Sequence, residues 1–183
     1  MTSVLIPLAE GFEELEAVTI IDLMRRAGIS VTVAGLREGP VTGSRGTVIV
    51  PDTTLDMALG DEYDMMVLPG GLPGADNLNE DPRINSLLRQ MEANNKYTAA
   101  ICAAPKVLAR AGLLRNKKAT AYPGTLDESQ IEGLQYDGGA VVQDGNVITS
   151  RGPGTAMDFT LSLIGLLEGD SVRSQVEKGL VRE

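Results

Sequence analysis

The residue with the most reactive side chain in this sequence is its single cysteine, Cys102, in the segment TAAICAAPKVLARAG. The apolar run Thr98 to Ile101 predicts a short buried strand before it, and the apolar spacing after it predicts a helix. Because amides at a helix start favour negative charge, we expect the pKa of this cysteine to be lowered into the ~3.5 to 7.5 range of activated thiols. Small neighbouring residues suit a nucleophile elbow. A lone cysteine can equally be a small buried apolar residue.

The chain contains no histidine, so another group must move any proton that the thiol exchanges. Glu16 is the candidate, because it stands beside Ala17 on the apolar side of a predicted helix. A carboxyl close to a thiolate holds its proton more tightly, since burial and like charge both raise its pKa. Such an acid can donate a hydrogen bond to sulfur or carry a proton. The adjacent Glu13 and Glu14 are expected to be surface residues that suit the first turn of a helix.

Two glycines, Gly70 and Gly71, follow a predicted buried strand in the segment LPGGLPG. Their amides could form an oxyanion hole together with the amide that follows Cys102. A simple glycine-rich turn is the alternative. The segment is not a phosphate-binding loop, because the Lys-Ser/Thr ending of that motif is missing. The glycine-rich segment 150–154 precedes the last long apolar helix, so it fits either a site loop or a helix cap.

Strands alternate with helices along the whole sequence, which predicts βαβ units, a mostly parallel sheet and helices on both of its faces. Ligands of such sheets bind at the carboxyl ends of the strands, where we expect three segments to converge: Glu10 to Glu16, Pro69 to Gly74, and Cys102. The predicted elements are strands at Val4–Leu8, Ser30–Leu36, Asp64–Leu68, Lys118–Ala121 and Ala140–Thr149, a hairpin within Gly39–Val50, and helices at Glu14–Ala27, after Asp81 and at Met157–Leu167.

Composition narrows the class of protein. The 183 residues fit a single domain, residues 1–183, with a full core. A net charge of -9 argues against nucleic acid or an anionic membrane as a partner. The acidic N-terminal segment does not resemble a signal peptide, and no apolar run reaches membrane-spanning length. One cysteine cannot form an intramolecular disulfide, so we expect a cytoplasmic protein.

Five collinear segments of the sequence resemble the DJ-1/PfpI superfamily, and within it the DJ-1-like branch. Together they extend over nearly the whole chain. The resemblance implies a flavodoxin-like, three-layer α/β sandwich that forms a homodimer and needs no cofactor or metal. The segments are EGFEELEAV at Glu10–Val18, MRRAGISVTVAGL at Met24–Leu36, VLPGG at Val67–Gly71, AAICAAP at Ala99–Pro105 and TSRGPGTAMDF at Thr149–Phe159.

The resemblance also implies roles for individual residues. Cys102 would be an oxidation-prone nucleophile, and Glu16 a protonated acid bonded to its sulfur. Tyr122 stands where the family often has a histidine, and a phenol with a pKa near ~10 cannot replace imidazole as a base at neutral pH. The remaining implied site residues are the oxyanion-hole amides of Gly70, Gly71 and Ala103, and residues near the pocket or the dimer interface, namely Arg26, Arg45, Tyr122, Gly152 and Pro153.

Three functions remain open at this point. By resemblance, the chain is a cofactor-independent enzyme that converts methylglyoxal, a small α-oxoaldehyde, to lactate, or that acts on methylglyoxal adducts. Alternatively, it is a redox sensor whose Cys102 is oxidised to a sulfinate. A partner-binding domain with an inert thiol is the third. A protease or amidotransferase is disfavoured, because both need the Cys–His pair that this chain cannot form.

Overall fold

The predicted alternation of strands and helices is present in the computed structural model, which describes residues 1–182. The strands are β1 Ser3–Leu8, β2 Ser30–Gly35, β3 Val41–Thr42, β4 Val48–Ile49, β5 Thr53–Thr54, β6 Met65–Leu68, β7 Tyr97–Ile101, β8 Lys118–Ala119, β9 Gln135–Tyr136, β10 Val141–Asp144 and β11 Val147–Ser150. The helices are α1 Glu14–Arg26, α2 Leu55–Ala58, α3 Gly74–Glu80, α4 Pro82–Ala93, α5 Pro105–Ala111, α6 Ala156–Glu168 and α7 Asp170–Gly179.

Seven strands form one sheet in the order β10-β11-β7-β6-β1-β2-β5. All neighbouring pairs are parallel except β10 with β11. The chain runs outward from β1 to β2 and β5, and then returns to β6 on the other side of β1. The connections that leave β1 and β6 therefore diverge, which opens a crevice at the carboxyl ends of these two strands.

Each face of the sheet carries its own layer of helices, as the alternation of apolar residues in β1 requires. Val4, Ile6 and Leu8 pack on one face, together with residues of α1, α6 and α7. Leu5 packs on the opposite face, with residues of α2, α3, α4 and α5. The prediction of an α/β sandwich with a mostly parallel sheet is thus confirmed.

Several elements differ from the prediction. The expected strand Ala140–Thr149 is a hairpin, β10 and β11, because Gly145 has a φ of +61° and turns the chain. Helix α3 was not predicted, because its sequence GADNLNE has little apolar periodicity. Helix α7 was missed for the same reason, since its one buried residue is Val176. The expected hairpin within Gly39–Val50 is confirmed, with β3 antiparallel to β4.

Candidate active site

Three segments meet where β1, β6 and β7 end, as expected from the order of the strands. Gly70 lies at the centre of this meeting point. A Cβ atom on Gly70 would lie 2.7 Å from Cβ of Cys102 and 2.8 Å from Oε2 of Glu16. The backbone of Gly70 therefore touches both predicted chemical groups, and glycine is required there because any side chain would displace one of them.

Cys102 lies on a sharp turn between β7 and α5. Its φ is +63°, a value that residues other than glycine rarely adopt. Main-chain hydrogen bonds hold the turn on both sides: the Cys102 amide donates to the carbonyl of Ser150 at 3.0 Å, and the Tyr122 amide donates to the carbonyl of Cys102 at 2.8 Å. Strain of this kind persists only where the surrounding structure fixes it. The cysteine is 8% exposed, so it is nearly but not completely buried.

Glu16 lies in the first turn of α1 and is completely buried against the sheet. Its Oε2 accepts a hydrogen bond of 2.7 Å from the Gly70 amide. Its other oxygen, Oε1, is buried and has no hydrogen-bond partner of regular geometry. The thiol of Cys102 interacts with the same carboxyl group. A proton on Oε1 would give this oxygen a hydrogen bond to donate toward sulfur.

Burial controls the protonation of both groups. It raises the pKa of Glu16 to about 7, helped by the negative charge of Glu13 and opposed by hydrogen bonds from Gly70 and Cys102. Burial also raises the pKa of Cys102 to about 12, and the Glu16 carboxyl adds to this effect. The expectation of a lowered cysteine pKa is therefore wrong. The helix that was expected to lower it, α5, begins only at Pro105, whereas an acidic group lies against the thiol.

The pair can release one proton near neutral pH but holds the second tightly. Two negative charges in contact at a buried site repel each other, so the pair carries a single charge over a wide pH range. That charge can reside on the Glu16 carboxylate or, when the carboxyl keeps the proton, on the Cys102 sulfur. The amides of Gly71 and Ala103 both favour the thiolate, because each hydrogen-bonds to it.

The three amides proposed for an oxyanion hole have different partners. Those of Gly71 and Ala103 face the cysteine, whereas the Gly70 amide is occupied by Glu16. The structure thus corrects the role of Gly70, which holds the acid rather than a substrate oxygen. Gly71 has a φ of +89°, and a Cβ atom there would lie 2.4 Å from the Glu13 nitrogen. This close approach of two backbones leaves space only for glycine.

Tyr122, Gly152 and Pro153 lie beside the cysteine turn. Tyr122 is bonded to it through the main chain, and its side chain is exposed. The ring lies 3.5 Å from the point that a Cβ atom of Gly152 would occupy. The hydroxyl of Thr155 accepts a hydrogen bond from the Gly152 amide at 3.2 Å, which fixes the loop before α6.

Neither arginine side chain hydrogen-bonds to the Cys102–Glu16 pair. Arg26 ends α1 and pairs with Asp22 at 2.7 Å. It is ten residues from Glu16, or about 15 Å along the helix, so the structure does not place it in the pocket. Arg45 lies in the turn between β3 and β4, and its amide donates to Oε1 of Glu14 at 2.6 Å. Nothing in the structure tests their expected place near a dimer interface.

Glu14 was predicted to be a surface residue, but it is 9% exposed and forms part of the site's surroundings. Its carboxylate accepts hydrogen bonds from the turn between β3 and β4. The helical spacing could have revealed this, because Glu14 precedes the buried Ala17 by three residues and so shares its face of α1.

Neither a metal centre nor a membrane segment is visible in the part of the chain that the structure describes. No group of three or more Cys, Asp or Glu side chains in residues 1–182 could hold a metal ion. None of the helices within those residues has the length and apolar character needed to cross a bilayer.

The raised pKa of Glu16 predicts how stability changes with pH. Its folded value of about 7 exceeds the ordinary 4.5, so the folded protein holds a proton that the unfolded chain has released. The stability from this proton is complete below about pH 4.5 and is lost as the pH rises through 7. At ~1.4 kcal/mol per pKa unit, the loss is about 3 kcal/mol. We expect Glu16→Gln, which cannot ionise, to lose much less stability than the wild type between pH 5 and pH 8.

Urea unfolding at pH 5 and pH 8 measures this difference. Glu38→Gln, at an exposed position, is the control, and its stability should follow that of the wild type at both pH values. An equal loss of stability in the wild type and in Glu16→Gln would contradict the assignment of the proton to Glu16.

Comparison with known proteins identifies the family of this chain and agrees with its fold. The model of the DJ-1/PfpI family matches residues 2–166. Protein dj-1beta of Drosophila melanogaster is 45% identical over 181 residues, which are 98% of this chain and 96% of the relative. A protein of Caenorhabditis elegans named glutathione-independent glyoxalase DJR-1.2 is 35% identical over 171 residues, or 93% and 91% of the two chains.

Solved structures give the same result. The crystal structure of Drosophila melanogaster DJ-1beta superposes with a TM-score of 0.93 at 44% identity, with 100% of this chain and 98% of that chain covered. Toxoplasma gondii DJ-1 in an oxidized form superposes with a TM-score of 0.92 at 35% identity, with coverage of 99% and 98%. The fold, the strand-end site and both comparisons together show that this chain belongs to the DJ-1/PfpI family.

Proposed function

We propose that this protein is a cofactor-independent enzyme that converts small α-oxoaldehydes such as methylglyoxal, free or as adducts, to hydroxy acids. The observation that carries the proposal is the buried contact between Cys102 and Glu16, in which one carboxyl oxygen has no other partner. Such a pair supplies a nucleophile and a proton carrier within the same site. The relative named as a glutathione-independent glyoxalase supports the same class of reaction.

The geometry suggests the following sequence of steps. The Cys102 thiolate attacks the aldehyde carbon, and the Gly71 and Ala103 amides bind the resulting oxyanion. The Glu16 carboxylic acid gives its proton to this oxygen, which produces the hemithioacetal and leaves Glu16 as a carboxylate. The Glu16 carboxylate removes the proton from the former aldehyde carbon and returns it to the neighbouring carbon. This shift converts the hemithioacetal into the thioester of the hydroxy acid. Water then cleaves the carbon–sulfur bond and releases the acid and the thiol, so that the net reaction consumes one water.

Substitution of either member of the pair should remove this activity. We expect Cys102→Ser and Glu16→Gln to reduce lactate formation from methylglyoxal, without glutathione, by at least about 100-fold, the lower range for a lost acid–base group. Enzymatic assay of the lactate measures it, and Glu38→Gln should retain wild-type activity. If the wild type forms no more lactate than Cys102→Ser, the proposed enzyme activity is excluded.

A second candidate is a redox sensor, which the surroundings of the sulfur also favour. The Gly71 and Ala103 amides and a proton on Glu16 are hydrogen-bond donors around Sγ, and these could bind the oxygens of a sulfinate. A reachable thiolate is oxidised by peroxide first to sulfenic acid and then to sulfinic acid.

Mass spectrometry after mild peroxide treatment tests the sensor. We expect two added oxygens on Cys102 in the wild type, and less of this product in Glu16→Gln, which cannot donate a carboxylic-acid proton. Absence of the two-oxygen product in the wild type would rule out this candidate. Because the lactate assay uses untreated protein, the two functions can be accepted or rejected separately.

We also propose a homodimer that covers one apolar surface. Leu15 and Val18 of α1, together with Val48 and Val50 of the β4 segment, are 47% to 75% exposed. Val18 and Val50 line one shallow surface cavity, so the two elements form a continuous face. Exposed apolar groups that are contiguous are typical of protein interfaces. The DJ-1-like resemblance gives a second copy of this chain as the partner.

Charged substitutions on this face should separate the two copies. The double variant Val18→Glu with Val50→Glu is expected to halve the molar mass measured by light scattering after size-exclusion chromatography. Leu59→Glu, at an exposed position that follows α2 on the other face of the sheet, is the control and should leave the mass unchanged. A wild-type mass of a single chain would exclude the homodimer.

A further inference from the structure

Glu14 ties the start of α1 to the turn between β3 and β4. Its Oε1 accepts hydrogen bonds from the amides of Arg45 at 2.6 Å and Thr47 at 3.2 Å, and its Oε2 accepts one from the Ser44 hydroxyl at 3.2 Å. Burial raises the pKa of Glu14, but the amide and hydroxyl donors outweigh it and leave the pKa below its ordinary value. The carboxylate is therefore charged at neutral pH and holds three donors of the turn.

Gly43 leaves the space for this carboxylate. A Cβ atom on Gly43 would lie 2.5 Å from both Cδ and Oε1 of Glu14. The turn is thus shaped around the glutamate side chain, and not merely adjacent to it. Glycine is needed at position 43 because any side chain there would push the Glu14 carboxylate away from the amides that it binds.

The loop before α1 links this turn to the catalytic pair. On the turn side, the Gly11 amide donates to the carbonyl of Thr42 at 2.8 Å, and the Ser44 amide donates to the carbonyl of Phe12 at 2.8 Å. On the other side, the Glu13 amide donates to the carbonyl of Gly70 at 2.9 Å. Gly70 in turn donates its amide to Glu16. Continuous hydrogen bonds therefore connect the turn, the loop, Gly70 and the acid.

We infer that Glu14 is a positioning residue, which sets the depth of Glu16 against Cys102 by fixing the first turn of α1 to the β3–β4 turn. It lies two residues before Glu16 on the same helix, and its carboxylate binds the β3–β4 turn rather than the thiol. The inference rests on the proposed function, since it assigns Glu14 to the pair that would perform the chemistry. Without this anchor, water reaches Glu16, the carboxylate becomes the favoured charged form, and the population of thiolate falls.

The rate of Cys102 alkylation by iodoacetamide, measured from pH 5 to pH 11, tests the inference. In the wild type we expect a plateau of reactivity around neutral pH, from the singly charged pair, and a rise at high pH. In Glu14→Ala the neutral plateau should fall about tenfold while the high-pH rise is unchanged. Glu14→Gln keeps a side-chain oxygen that can accept hydrogen bonds from the Arg45 and Thr47 amides, so it should recover most of the plateau. This variant still tests the inference if Glu14→Ala does not fold.

Asp144→Ala is the matched control for a loss of stability. Asp144 likewise accepts a backbone hydrogen bond, from Lys118 at 2.9 Å, but it lies in the β10–β11 hairpin at the opposite end of the sheet. This variant should lower the melting temperature and leave the alkylation profile unchanged. If Glu14→Ala behaves in the same way, Glu14 is only structural and the inference is wrong. If the wild type itself lacks the neutral plateau, the proposed thiolate function fails instead.

Discussion

A carboxyl group and a thiol share one buried site that accommodates a single negative charge. Burial raises the pKa of both groups, and the contact between them makes a second charge much more costly than the first. As a result, the carboxyl group can still hold a proton near neutral pH beside the sulfur, which is a potential nucleophile. The rest of the structure serves to keep the two groups together, dry and fixed, because each would return to its ordinary pKa in water.

Backbone groups, rather than charged side chains, hold this pair. The amides of Gly70, Gly71 and Ala103 supply the hydrogen bonds, and the first two require glycine because other chain segments press against them. A parallel sheet whose connections diverge at β1 and β6 brings such amides to one point without any bulky side chain. Fixed dipoles of this kind stabilise charge without reorganising, which is the property required of both an oxyanion hole and a sulfinate-binding site.

The sequence predicted the parts of this arrangement that depend on local pattern. The helix predicted after Asp81 is present as α4, and the convergence of Glu16, Gly70 and Cys102 followed from the order of strands and helices. Properties that depend on distant contacts were not predictable. The predicted direction of the cysteine pKa shift was wrong, because the burial of Cys102 and, after it, the neighbouring Glu16 carboxyl raise this pKa.

Individual contacts were beyond prediction for the same reason. The sequence could not show that the Gly70 amide would be taken by Glu16, since that bond joins residues 54 positions apart. The burial of Glu14 was also not predictable, because the hydrogen-bond donors to its carboxylate come from a turn 30 or more positions away in the sequence. The separation of Arg26 from Glu16, by contrast, was predictable from the sequence, because ten residues of one helix span about three turns.

The positive φ of Cys102 has a consequence for the evolution of this site. A non-glycine residue in that conformation costs on the order of 1 to 3 kcal/mol, and the turn around it is held by main-chain bonds that do not involve sulfur. Glycine would therefore fit the same turn with less strain. A lineage that keeps cysteine here sacrifices folding stability for the thiol. Cys102 thus marks a trade-off between an unstrained backbone and a thiol at this position, and its replacement by glycine would give a descendant with less strain and no thiol.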